Sequence, residues 1–250
     1  MRFGSLAGLR RHLAVVSWVV VVAWMMARAG ATTGFELVRA ELAAVQISGF
    51  LDDPVSPRRW VEDNVLPLLP VSLAWTATGT RPIVRPTVPA SGPDLRVEPG
   101  RMVRKGVVTY DTPASSVVND HRFSWGWDIR ENGPTRTTRT GGALAPSWAR
   151  NSALLHGVRA GSSSSAVVYD AGSAAFISAW QCRDEAYSRR GVQYTCAVTD
   201  EVLALTPGQA VTLSDADLSL QAVPGWVSGT SWSADGLIEV SVTLFDPGEL

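Results

Sequence analysis

Leu237-Ile238-Glu239-Val240-Ser241-Val242-Thr243-Leu244 alternates apolar and polar side chains along most of its length. Successive side chains of a strand point to opposite faces, so this period of two gives one dry face and one wet face. It is the clearest strand signal in the chain, and weaker copies lie upstream. Val71-Ser72-Leu73-Ala74-Trp75-Thr76 alternates in the same way, and Val107-Val108-Thr109-Tyr110 is a short β-branched run. Ala175-Phe176-Ile177-Ser178-Ala179-Trp180 and Val192-Gln193-Tyr194-Thr195 read as two more strands. Pro82, Pro86, Pro89, Pro93 and Pro99 punctuate an extended edge or linker. Residues 112–165 are rich in Gly, Ser, Thr, Asn and Pro with little periodicity, which predicts long loops, and Gly161-Ser162-Ser163-Ser164-Ser165 reads as a flexible tip. Many short strands separated by Gly/Pro turns make the expected class mainly β, with an antiparallel β-sandwich-like domain over residues 71–250.

Two helical segments are expected before that domain. Arg10-Arg11-His12 precedes the apolar run Leu13 to Ala27, which carries Leu13, Val16, Trp18, Val20, Val22, Trp24 and Met26. The run is intermediate in length between a signal h-region and a membrane span of about 20 residues. Ala27-Arg28-Ala29-Gly30-Ala31 then offers small-x-small cleavage sites. Residues 1–34 are therefore a cleavable signal peptide or a retained single anchor, with membrane lipid as its partner. Either way residues beyond it face out of the cytoplasm, in the periplasm or at the surface of a bacterial envelope. Residues 35–70 hold an amphipathic helix whose packing seam is Phe35, Val38, Leu42 and Val45, at 3-4-3 spacing. A short second helix follows, with Ser56 as N-cap and Pro57 at its first position. The seam packs either on its own domain or against neighbouring subunits.

The chain has 22 basic and 23 acidic residues; residues 1–31 hold Arg2, Arg10, Arg11 and Arg28 and no acid, so the remainder carries 18 against 23, net −5. A nucleic-acid partner is not expected of such a balance. Lys105 is the only lysine. The two cysteines, Cys182 and Cys196, flank a polar stretch between two strand-like runs, and in an exported chain this layout predicts one disulfide across a hairpin. Two buried free thiols are the competing reading. No third or fourth ligand stands at a spacing that would favour a metal site.

Catalytic patterns are weak, and no cofactor is implied. Asp120-His121 lacks a nucleophile elbow and reads as a loop hydrogen bond. Asp184-Glu185 and Asp52-Asp53 read as solvated turns, and Asp215-Ala216-Asp217 lacks the later glycine and glutamate of a calcium loop. Trp125-Gly126-Trp127 would place two rings on one strand face if extended, a platform on which a sugar could stack. Core packing is the alternative use of those rings. Carbohydrate is thus a second candidate ligand, and a secreted carbohydrate-binding module is the alternative function.

An apolar N-terminal segment after a basic stretch, an amphipathic helix at Phe35–Val45 and a distal β domain closing in Glu239-Val240-Ser241-Val242-Thr243 resemble the TadE/TadG-like minor pilins in layout. The resemblance implies a non-catalytic, membrane-anchored envelope subunit that packs against other proteins. The Glu-Phe pair usual at the start of that family's apolar segment is replaced here by Leu13-Ala14-Val15.

Overall fold

The computed structural model describes residues 38, 43, 45–47, 56–76, 79–110 and 113–249. The leader 1–34, with the membrane segment Leu13, Val16, Trp18, Val20, Val22, Trp24 and Met26, lies outside the described residues, as do Phe35 and Leu42. No helix among the described residues is long and apolar enough to cross a membrane. In chain order the elements begin with α1 (Pro57–Asn64), β1 (Val71–Thr76), β2 (Gly79–Val84), β3 (Asp94–Arg96), β4 (Met102–Tyr110), β5 (Asp120–Asp128) and β6 (Gly133–Thr140). They continue with α2 (Ser147–His156), β7 (Ala160–Ser164), α3 (Ala171–Glu185), β8 (Arg190–Cys196), α4 (Asp200–Leu203), β9 (Ala210–Asp215), β10 (Leu220–Trp232) and β11 (Ile238–Leu244). The protein is mainly β, as its strand grammar predicts.

The alternating stretch at the C-terminal end becomes β11, a central strand. It pairs antiparallel with β10 on one side and β8 on the other, inside a sheet of order β3-β9-β10-β11-β8-β4. The edge strands β3 and β4 are joined by residues 97–101 alone. A flat six-stranded sheet would hold its edges roughly 24 Å apart, at about 4.8 Å per strand. The link could reach only about 20 Å if fully extended. It is also folded into a turn, because the amides of Arg101 and Met102 both donate to the Glu98 carbonyl at 3.1 Å. The sheet must therefore curl. Its inner face gathers Met102, Val192, Tyr194, Cys196, Val211, Leu213, Val240, Val242 and Leu244 into one core. The alternate residues Gln193, Thr195, Glu239 and Ser241 fall on the other face, as period two requires.

A second core lies between a three-stranded sheet, order β6-β5-β7, and α3, which crosses β5 and β6. Phe123 and Trp125 of β5 pack there against Ala174 and Ile177 of α3, with Val61, Val65, Leu68, Leu69 and Val71 from the α1–β1 segment. Val38 and Val45, two of the seam residues, are buried in this same core. Those two positions thus pack on their own domain.

Several sequence expectations are corrected. Residues 175–180 are helix, not strand. Asp170 caps α3, its Oδ2 accepting from the Ser173 amide at 2.7 Å and from the Ser173 hydroxyl at 2.9 Å, and this bonding holds its carboxyl below the usual range. Four alanines within α3 favour helix, and Ala174, Ile177, Ser178 and Cys182 recur on its buried side. The hairpin expected to be stapled by Cys182 and Cys196 therefore does not exist. Both thiols are free and buried, Cys182 against the three-stranded sheet and Cys196 inside the curled one. Residues 112–165 are not long loops but hold β5, β6, α2 and β7. The serine run is a strand because β7 joins β5 in a parallel ladder, and a Cβ at Gly161 would come within 2.6 Å of Val118. The sheets are not wholly antiparallel: β5–β7 and β3–β9 are parallel. Helix α1 begins at Pro57 as expected, but the Ser56 side chain makes no capping bond.

Candidate functional site

Asp120 and His121 lie in β5 rather than in a loop, both buried. Register decides where their side chains go. His121, Phe123 and Trp125 face α3, while Asp120 and Arg122 face away. The Asp120 carboxylate accepts two bonds from Arg139, to Oδ1 from Nε and to Oδ2 from Nη2, each 2.6 Å, and this pairing holds it below the usual carboxylate range. It therefore does not orient His121. The His121 Nε2 stands 3.2 Å from the Ser163 hydroxyl, which itself donates to Gln181 Oε1 at 2.6 Å. Nδ1 of His121 has no partner, and burial pushes the imidazole pKa down. A Ser-His-Asp relay needs the acid on the far ring nitrogen. Here the pair ties β5 and β7 to α3.

The thiols are similarly quiet. Burial pushes Cys182 up to about 12 and Cys196 up to about 11. A thiol reacts as its thiolate, so neither is activated. Among the described residues no group of three His, Cys, Asp or Glu could hold a metal ion.

The two tryptophans do not form a platform. Gly126 has φ +71°, so the strand does not keep regular extended geometry between them. Trp125 is buried, its Nε1 donating to Thr138 Oγ1 at 2.9 Å, with the Arg136 guanidinium 5.1 Å from its ring centre. Trp127 is half-buried.

One buried charge cluster joins the two cores. Arg189 precedes β8, and its side chain is 4% exposed. It grips Glu249 twice, at 2.9 and 2.8 Å, and Asp184 of α3 once, at 3.1 Å. The rings of Trp226 and Phe245 each lie 5.3 Å from its guanidinium carbon. Arg85, just past β2, reaches the other oxygen of Asp184 at 3.1 Å. Every charge has an opposite partner, so the cluster holds elements together and offers nothing to a ligand.

What the fold leaves open is the outer edge of β4. This strand is nine residues long and ends the six-stranded sheet, with β8 as its only ladder partner among the described residues. Alternate backbone N–H and C=O groups along such an edge are free to pair with another strand. Val103, Val107 and Tyr110 are 59%, 82% and 56% exposed. Residues 106–108 bulge between the Lys105–Gln193 and Thr109–Gly191 pairs, where Gly106 takes φ +77°. The bulge walls a cavity of about 330 Å³ floored by Gln193, Ser228, Ser241 and Thr243. Lys105 sits at its mouth and pairs with Glu239.

No protein-family model matches the chain, and no curated protein matches it. Solved structures do. A chain of the virion of native gene transfer agent (GTA) particle is 14% identical, with a TM-score of 0.57 over 98% of this chain and 52% of that one. The tail protein from Neisseria meningitidis MC58 is 11% identical, with a TM-score of 0.48 over 96% of this chain and 69% of that one. The 43 kDa tail protein of prophage MuSo2 from Shewanella oneidensis is 11% identical, with a TM-score of 0.49 over 91% and 66%. The likeness to the virion chain is one of fold, and this chain spans about half of its length.

None of the site residues expected from sequence lies on β4, although Val107-Val108-Thr109-Tyr110 reads as a strand and Lys105 stands out as the only lysine. The signal was present but faint. Val103 and Val107 flank Arg104, Lys105 and Gly106, a short run in which apolar and basic side chains mix without a clear period. Nothing in that run says that one of its edges stays unpaired.

Proposed function

We propose that the protein is a non-catalytic structural subunit of a multi-protein assembly, of the kind to which virion and tail proteins belong. The observation that carries this reading is the nine-residue β4 edge with three exposed apolar side chains, a surface that sheet proteins normally shorten, cover or charge. The fold shared with a chain of a gene transfer agent virion supports it. So does the chemistry of the polar clusters. His121, Ser163, Asp120, Arg189 and Glu249 each bond to groups of the fold itself. The apolar run from Leu13 to Ala27 supports an exported or anchored form of the same subunit.

Cross-linking of the full chain in the cells that make it, followed by sedimentation, tests the reading. The chain is expected in a complex many times its own 26.7 kDa. A species that runs only as the monomer overturns it.

A further inference from the structure

We infer that the β4 edge is the docking site for an extended segment of a different protein, one that alternates apolar and acidic side chains and adds as a further strand beside β4. The inference rests on the assembly reading above and names the partner's chemistry.

The strand-like form of the partner follows from the edge. A free ladder of N–H and C=O groups is matched by another extended backbone, and side chains at every second position then meet the same sheet face. Val103, Val107 and Tyr110 supply apolar contacts on that edge. The bulge at residues 106–108 interrupts the ladder and opens the neighbouring cavity, which gives one partner side chain a place to enter.

The acidic character follows from charge. Arg104 is exposed, and Arg190, paired in register with Tyr110 at the other end of β4, is partly exposed. Neither makes an ion pair among the described residues, whereas Lys105 is already held by Glu239. Arg104 on the edge strand, and Arg190 beside it on β8, thus stand without an acidic partner among the described residues.

The same charges argue against a second copy of this chain. Antiparallel pairing of β4 with β4 over its full length sets Arg104 opposite Val108 and Lys105 opposite Val107 of the other copy, and β4 holds no acid, so a second copy leaves these cations without a partner. The other strands at sheet edges do not help. β6 carries Arg136 and Arg139, β1 and β7 carry no charge, and β2 carries Arg81. On β3, Asp94 is already taken by Arg96 at 2.7 Å and by Thr212 and Ser214 at 3.2 Å. No described edge strand of this chain supplies a free acid, and the proposed partner is a segment of another protein.

The test titrates the full chain with two fluorescent nine-residue peptides, one alternating Val and Glu and the other Val and Lys. The Glu peptide is expected to bind saturably and about tenfold or more tighter than the Lys peptide, with the difference shrinking as salt rises. Arg104→Glu with Arg190→Glu is expected to reverse the preference. Arg104→Glu alone, at an exposed position, serves if the double variant fails to fold. Methylating alternate backbone nitrogens of the Glu peptide is expected to abolish binding, which a merely ionic contact would survive. No binding, equal binding of both peptides, or a dimer of the protein that Val107→Asp dissolves overturns the inference. If the chain sediments in a large complex but binds neither peptide, the inference falls and the assembly reading stands. If the Glu peptide binds and the chain sediments alone, the assembly reading falls and β4 remains a peptide-binding edge.

Discussion

Replacing Arg189 by Met removes the centre of the buried charge cluster and leaves its partners in place. The Arg189 side chain is 4% exposed and that of Glu249 1%, so water reaches neither. Glu249 would lose both guanidinium bonds, at 2.9 and 2.8 Å, and keep backbone donors such as the Asp246 amide at 3.2 Å. Asp184 is better placed, because Arg85 still holds its second oxygen at 3.1 Å. Breaking one side of a buried pair costs about 3–5 kcal/mol, since the remaining charge stays desolvated without its counterion. A domain of ordinary stability has about 5–15 kcal/mol in all, so the variant should lose a large part of it. Urea unfolding followed by tryptophan fluorescence reads the change, because Trp226 lies against the guanidinium. The double variant Arg189→Met, Glu249→Leu discriminates cause. Removing both charges takes away the desolvated orphan, so it should be closer to the parent than Arg189→Met alone. A cost under about 1 kcal/mol for Arg189→Met, or a double variant worse than the single, would refute the reasoning.

Two further predictions follow from the titratable groups. With burial holding Cys182 near 12 and Cys196 near 11, a thiol reagent at neutral pH should label neither in the native protein and both after unfolding, and reductant should leave native mass and stability unchanged. Fast native labelling, or a mass gain of two hydrogen atoms on reduction, would contradict the free, buried thiols. His121 is held below its ordinary 6.5 by burial, so the unfolded chain takes up a proton more readily than the native one. Its contribution is present above pH 6.5 and is lost as the pH falls from there through the lowered folded value. His121→Gln should flatten unfolding stability over that window, and an unchanged slope counts against it.

Strand elements were legible where burial on one face imposed alternation. Val71–Thr76 was read as a strand to the residue, and β11 was missed by one residue at its start. Residues 175–180 misled because a run of Ala, Phe, Ile and Trp is as apolar on a helix as on a strand, and the Asp170 cap that decides it lies five residues upstream. The serine strand β7 was illegible because its stability comes from ladder bonds to β5 and from the close approach of Val118 to Gly161, neither of which has a composition signature. The disulfide inference failed with the hairpin it assumed. Cysteine count and spacing were compatible with a bridge, but only the tertiary fold shows that Cys182 is buried against the three-stranded sheet and Cys196 inside the curled one. The β4 edge was invisible for a complementary reason. A strand's sequence does not say how many neighbours it has.

The two seam residues that the structure describes change where association has to occur. Val38 and Val45 are 1% and 0% exposed and join the core that also holds Phe123, Val168 and Ile177. Their apolar surface is already spent within the domain, so a partner cannot bury it again without unpacking that core. In the proposed assembly the apolar surface of Val38 and Val45 therefore contributes nothing, whereas surface that folding leaves wet can. On β4 that surface coincides, among the described residues, with an edge free of a ladder partner, exposed Val103, Val107 and Tyr110, and Arg104 without an acid, with Arg190 of β8 alongside. Apolar area, backbone pairing and charge meet there at one sheet edge. An interface needs all three, because area alone gives adhesion without register, and charge alone gives attraction without a defined partner.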